Sequence, residues 1–482
     1  MGYFLAIDMG TTSVKAVAFS GSAQMLYRYS VNNTTLQPQA GYAEQEPYTI
    51  LLAVIECINS VTAYLQQPPM CISFSAALHG LIVMDADGNA LTNCILWNDT
   101  RANAEAEELY QNKSAAEFYT ITGVPVHAMT PVCKILWLQK NEPKLFNKAA
   151  KFISLKEYVF FALTQQYVID TSIATATGLC NIHKLQWETN LLNKLKISEQ
   201  QLSTIVAPET VFYGTHTLLP DWISKVPLVI GGGDGPLANL GMGVSAPHQI
   251  AVTIGTSAAA RRTIHQPILN ASAQTFCYFL HQQSYVMGGA SNNGASVIQW
   301  FKNEILKTNS SFENLFNETI NIEPGSDGLV VLPYIAGERA PLWNAEATAA
   351  FVGLTRQHTQ AHCMKAVMEG VLLNVYAIIR QLITDDNTEY ALFAGGGFAE
   401  STIWVQMLAD ITNMKVILPN TIETSALGAA IIGAKAINAQ LDVNSNNIIT
   451  YEPNVTTHQL YQKVWMRYQR ILGQLELIKK PL

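Results

Sequence analysis

The sequence has no Gly-x-x-x-x-Gly-Lys-Ser/Thr loop, and no glycine cluster in its second half fits Gly-x-Gly-x-x-Gly. Neither a P-loop nucleotide site nor a Rossmann cofactor is therefore expected. Charge is scarce: charged residues make up 13% of the chain and the net charge is -7. General affinity for nucleic acid or an anionic membrane rests on basic residues, so neither partner is expected. The cysteines (Cys57, Cys71, Cys94, Cys133, Cys180, Cys277 and Cys363) are odd in number, scattered, and never spaced Cys-x-x-Cys. They read as core thiols in a reducing compartment, with no disulfide framework and no zinc site. No basic segment precedes the first strand, and no apolar run approaches the ~20 residues that span a bilayer. The expected location is cytoplasmic.

Hydrophobic residues make up 49% of 482, enough for two sizeable cores. One stretch organises the first: Leu5 to Phe19 places two apolar strands around Asp8, Gly10, Thr11, Thr12, Ser13 and Lys15. Glycine lets backbone N–H groups face an anion, the hydroxyls add donors and Lys15 adds charge, which together make a phosphate cradle. Asp8 could hold the Mg²⁺ that accompanies phosphates. A polar hairpin with a buried aspartate explains one such turn equally well. Ile250 to Ala259, however, repeats strand, Gly255-Thr256-Ser257 and strand. Such an echo implies two related domains facing a shared cleft. The arrangement resembles the actin-like, ribonuclease-H-like ATPase fold: α/β, with two domains and a cleft between them.

Apolar spacing from Ile50 to Leu65 predicts an amphipathic helix over Glu46 to Gln67. Leu78 and His79 stand at a strand–loop junction, where an imidazole can bond a ligand hydroxyl or serve structure alone. Leu96 to Arg101 mixes an aromatic ring, an amide, a carboxylate and a guanidinium, a set suited to polyols; a capped helix start at Asp99 explains the aspartate equally well. Ser198 to Gln201 reads as a capping box for a helix through Ile205. The stretch Met129 to Asn141, helical after Pro131, matches a signature of the FGGY-type carbohydrate kinases, which include glycerol kinase, xylulokinase and a bacterial class of gluconokinase.

Val226 to Pro236 is an apolar strand running into three glycines and Asp234. A carboxylate so placed can remove an acceptor hydroxyl's proton, and in the family a Gly-Asp pair here supplies the base, matching Gly233-Asp234. Gly288 to Gly294 reads as a loop before a helix. Leu332 to Asn344 resembles a segment characteristic of the gluconokinase branch, where a surface ion pair between Glu338 and Arg339 would be the dull reading. A second signature fits Ala349 to Glu369, with Cys363 in place of a larger residue. The resemblance implies ATP with Mg²⁺ on the hairpins at Thr11 and Thr256, Gly294 among the nucleotide contacts, and adenine and ribose at Gly397 and Ser401. It implies a sugar beside Leu78, His79 and Asp234. The expected domains are 1–244, binding sugar, and 245–482, binding nucleotide, with the boundary near Gly243 to Pro247. The expected activity is phosphorylation of D-gluconate; a xylulose or other ketose or polyol kinase is the alternative, and a non-catalytic actin-like sensor a third reading. The expected partners are ATP and a small sugar or sugar acid, with a homodimer allowed. A carboxylate acceptor wants a cation, for which Arg101, Lys134 and Arg339 are available.

Overall fold

The computed structural model describes residues 2–474 apart from 271, 273, 274, 386, 420–422 and 444–447. Two sheets dominate it. The first is built from β1 (Phe4–Met9), β2 (Ser13–Phe19), β3 (Met25–Asn32), β4 (Cys71–Ala76), β5 (Val211–Phe212) and β6 (Leu228–Gly233), in the order β5-β6-β4-β1-β2-β3. β1, β2 and β3 form an antiparallel meander, while β4 and β6 run parallel to β1. The second comprises β7 (Gln249–Ile254), β8 (Ala258–Ile264), β9 (Phe276–His281), β10 (Ser284–Ser291), β11 (Ala391–Gly395), β12 (Lys415–Leu418) and β13 (Ile449–Tyr451). Its order is β9-β10-β8-β7-β11-β12-β13. β7 pairs antiparallel with β8 and parallel with β11, repeating what β1 does with β2 and β4. The internal echo in the sequence is thus an echo in topology. This is the two-part α/β architecture of the actin-like ATPases.

β1 is buried along its whole length, as a central strand covered on both faces must be. Helix α1 (Pro47–Leu65) lies on β2 and β3; Glu46 caps it by accepting from Thr49 N, Pro47 opens it, and Gln66 ends it in the left-handed region. α2 (Asp234–Gly241) leaves β6 directly. α3 (Gln360–Leu382) underlies the second sheet. Contrary to the expectation from apolar runs, α1 and α3 are each long and apolar enough to cross a bilayer; 83% of the most apolar 18-residue stretch of α3 and 50% of that of α1 is buried inside the protein. Both are used as packing helices.

α4 (Thr424–Ala436) comes from the second half of the chain and packs on the first. Its Ala426, Ala429, Ala430 and Ile432 join Phe4, Ala6, Phe19 and Cys71 in one core with Leu237 of α2. The small-residue run read from the sequence allows this close approach. The cysteines among the described residues are all free, and only Cys363 is not fully buried.

Three local expectations are corrected. The Ser198 capping box forms, but it caps one 3₁₀ turn, Glu199–Gln201. Thr204–Val206 is then a strand on Val168–Asp170, because its β-branched residues suit a pleated surface better than a helix. Gly288 and Gly289 lie inside β10, where any side chain at 288 would strike the neighbouring Ala260 carbonyl. Asp99 caps no helix; it holds Ala43 N at 2.7 Å and binds Arg101.

Candidate active site

Between the two hairpins lies a cavity of about 360 Å³. From the first half it is lined by Thr11, Leu78, His79, Trp97, Met129 and Asp234. From the second half come Ser257, Arg261, Tyr278, Arg339 and Trp343, and from α4 Thr424 and Ser425.

Asp234 is the first residue of α2, on the cavity floor. Its position follows from a distortion of β6. The pairing with β4 slips between Val229 and Gly232, and Gly231 takes φ +67, where a Cβ would fall 1.8 Å from the Phe74 carbonyl oxygen. Only glycine fits there. Buried Lys156 fixes the distorted strand, donating to the Ile230 and Gly232 carbonyls at 3.0 and 3.1 Å while paired with Asp170 at 2.6 Å. Burial and the nearby Asp8 raise the Asp234 carboxyl to about 6, against the pull of Gly235 N–H, Arg261 and Arg339.

His79 has φ +67, a conformation that costs a non-glycine residue on the order of 1–3 kcal/mol. Two contacts hold it. Its Nδ1 lies 3.0 Å from the Ala176 carbonyl, and its own carbonyl accepts from Lys134 Nζ at 2.6 Å. Burial and the Lys134 and Arg339 charges depress the imidazole to about 3, so it is neutral. A carbonyl only accepts, so Nδ1 carries the proton and Nε2 is an acceptor facing Tyr278 OH at 3.4 Å.

The first hairpin is tied into the cavity wall: Thr11 Oγ1 accepts from Trp97 Nε1 at 2.9 Å, and Gly10 N–H closes the turn on Ser13 O at 3.0 Å. In the second, Gly255 N–H bonds Ser257 O at 2.9 Å, and Gly294 N–H bonds Thr256 O at 3.2 Å. Thr12 and Thr256 are exposed at the two tips, while Ser13 and Gly255 are half-buried. Lys15 faces Asp8 across the β1–β2 register, but its ammonium is held by Glu423 at 2.9 Å. Asp8 is 9% exposed, and its Oδ1 has no hydrogen-bond partner. Burial raises its carboxyl, opposed by Ser75 and Lys15. An orphaned carboxylate oxygen close to a second carboxylate fits a cation such as Mg²⁺, which takes one or two carboxylates plus phosphate oxygens.

Gly397 and Ser401 are apart from this cavity. They line a second one, about 670 Å³, with Ala295, Phe312, Phe316 and Trp404. Gly294 immediately precedes the helix Ala295–Trp300 that forms one of its walls.

Of the three cations considered for a carboxylate, two are engaged. Lys134 is fully buried and donates to three backbone carbonyls, of His79, Ile95 and Leu96. Arg101 is clamped by Asp99 and Glu44 and lies 3.7 Å over the Tyr42 ring. Arg339 lines the cavity, 4.7 Å over Trp97, with its Nε unpartnered. It is no surface residue, nor is Glu338, which accepts from Ser291, Asn293 and Asn374 at 0% exposure. Sequence reading missed Arg261 and Tyr278, and gave Trp343 no role of its own within the Leu332 to Asn344 segment. The signal for Arg261 was there: two arginines inside a strand that is otherwise Ala, Thr and Ile.

The models of the FGGY carbohydrate kinase N-terminal and C-terminal domains match residues 3–241 and 250–437. The chain belongs to the FGGY family of carbohydrate kinases. Gluconokinase from Bacillus licheniformis is 38% identical over 448 residues, 90% of this kinase and 87% of that protein. A solved structure of a gluconate kinase from Lactobacillus acidophilus matches with a TM-score of 0.93 at 32% identity, covering 98% of each chain. A ligand-bound xylulose kinase structure from the same organism matches with the same score, identity and coverage. Overall likeness therefore establishes a carbohydrate kinase, and the acceptor must be argued from the cavity.

Proposed function

We propose that this carbohydrate kinase transfers the γ-phosphoryl group of ATP to D-gluconate, giving 6-phosphogluconate. The observation that carries the reading is one cavity holding an acid, a neutral histidine acceptor and a guanidinium whose Nε has no partner. Likeness to gluconokinase over 90% of the chain supports it. In this mechanism Asp234 takes the proton of the acceptor hydroxyl as that oxygen bonds to the γ-phosphorus and the bond to the ADP oxygen breaks. With its carboxyl at about 6, Asp234 is ionised at neutral pH. His79 Nε2 accepts from a second acceptor hydroxyl, and Leu78 and Trp97 wall the sugar in. Arg261 supplies positive charge near the transferring group, and its donors to Asn239 and Thr253 at 3.2 and 3.0 Å keep it in place.

The turns Gly10–Ser13 and Gly255–Ser257 offer backbone and hydroxyl donors to phosphates, and the cavity at Gly397 and Ser401 is the seat for adenine and ribose. Asp8 would hold Mg²⁺, which when bound neutralises phosphate charge. We assign the acceptor hydroxyls to residues 1–244 and the nucleotide to 245–482, two domains that close on both ligands. A coupled ADP-release assay over gluconate, xylulose, ribulose and glycerol tests the reading: gluconate should show the highest kcat/KM. A faster neutral ketose would transfer the assignment to the xylulose reading, which the Lactobacillus acidophilus xylulose kinase likeness favours.

A further inference from the structure

Two buried hydrogen-bond donors, one on the cavity wall and one behind its Trp343, have no acceptor within the protein. One is Nε of Arg339, a residue 8% exposed whose Nη2 is spent on the Ser291 carbonyl at 3.2 Å. The other belongs to His127. Its Nδ1 accepts the Met129 N–H at 3.1 Å, so the ring's proton sits on Nε2, and Nε2 is buried without a partner.

These donors come from different halves of the chain and meet around Trp343. That indole packs edge-on to His127 at 5.8 Å, and its backbone N–H donates to the Arg339 carbonyl. The Arg339 charge is close enough to help burial hold His127 neutral, with a value of about 3. A buried donor left unpaired costs on the order of 1–3 kcal/mol, and native structures keep such donors where something else supplies the acceptor. A guanidinium N–H and an imidazole N–H can both be met by one carboxylate, whose two oxygens accept. Lys134 is held by three carbonyls, Arg101 by two carboxylates, and Arg261 donates to Asn239 and Thr253.

We propose that Arg339 and His127 form the subsite that binds the carboxylate of the acceptor, setting the charged end of a sugar acid against Trp343 while its far hydroxyl reaches Asp234. The assignment rests on the sugar-acid reading above. It makes these two side chains specificity determinants, since a carboxylate meets both donors with charged oxygens, whereas the hydroxyl and carbonyl oxygens of a neutral acceptor bond them more weakly.

The test compares wild type with Arg339→Gln, Arg339→Lys, His127→Phe and His127→Gln. The acceptors are gluconate, a second aldonate such as galactonate, and xylulose, with KM for ATP measured alongside. Arg339→Gln should lower kcat/KM for gluconate about 10- to 100-fold more than kcat/KM for xylulose, the usual size for a hydrogen bond to a charged group; the loss shared by both acceptors reports the Arg339 charge that Asp234 also feels. His127→Phe should act in the same direction, and His127→Gln and Arg339→Lys, each keeping a donor, should recover part of the loss. Calorimetric titration of gluconate without ATP should weaken in parallel. If Arg339→Gln and His127→Phe depress gluconate and xylulose equally, or raise the KM for ATP, the two residues are structural and the subsite is overturned. A wild type that prefers galactonate removes gluconate but keeps the subsite if the variants lose activity selectively on the acids. A wild type that prefers xylulose removes both.

Discussion

Gly241 and Gly428 are the two sides of one helix crossing. A Cβ on Gly241 would lie 1.9 Å from the Thr424 carbonyl oxygen, and one on Gly428 would lie 2.0 Å from that of Leu237. α2 begins with Asp234, and α4 carries Thr424 and Ser425 into the cavity, so this contact sets the distance between the base and the opposite wall.

Gly428→Val should therefore cost about 3 kcal/mol or more in stability, because backbone is what the new side chain meets and it cannot step aside. Chemical denaturation would show the loss. Gly473→Ala, with nothing within 4 Å of its Cβ, should be close to neutral by the same measurement.

Asp234→Asn should lower kcat by ~10² to 10⁴ with KM for ATP nearly unchanged. Wild-type kcat/KM should fall as pH drops through about 6, where the base takes up its proton. The stability effect runs the other way. Folding raises this carboxyl, so its ionised form opposes folding fully above about 6 and not at all below the ordinary value of 3.8. Asp234→Asn should accordingly melt higher than wild type at pH 7.5 and alike at pH 3.5 or below, as read by calorimetry.

Lys134→Met should unpair the carbonyls of His79, Ile95 and Leu96 together. A net loss of about 2–4 kcal/mol is expected from three buried acceptors left unbonded. Because His79 is held at positive φ partly by this lysine, the KM for the sugar should rise more than the KM for ATP. Equal changes in both would mean that the loss is global.

Strand-turn motifs made much of this site legible in the sequence. Asp8, Thr11, His79 and Asp234 each stand where an apolar strand gives out, and the register of the parallel strands carries those ends to one edge of the sheet. Gly397 and Ser401 follow the same rule in the second half. Arg261, Tyr278 and Trp343 do not. The first two lie within strands, and the third is in a loop; they reach the cavity because the two halves pack together, which no local pattern records. Lys15 shows the converse. Its place beside the turn read as phosphate-binding, yet a glutamate 408 residues away takes its ammonium.

The position of α4 also bears on how the chain is made. The first sheet is complete once Gly233 has been synthesised, but the face carrying Phe4, Ala6 and Cys71 waits for residues up to Ala436 before it is covered. At ~5–20 residues per second that interval is about 10–40 s of translation with an apolar face open to water or to a chaperone. A nascent chain stalled before Thr424 should hence bind a holdase, and released full-length protein should not.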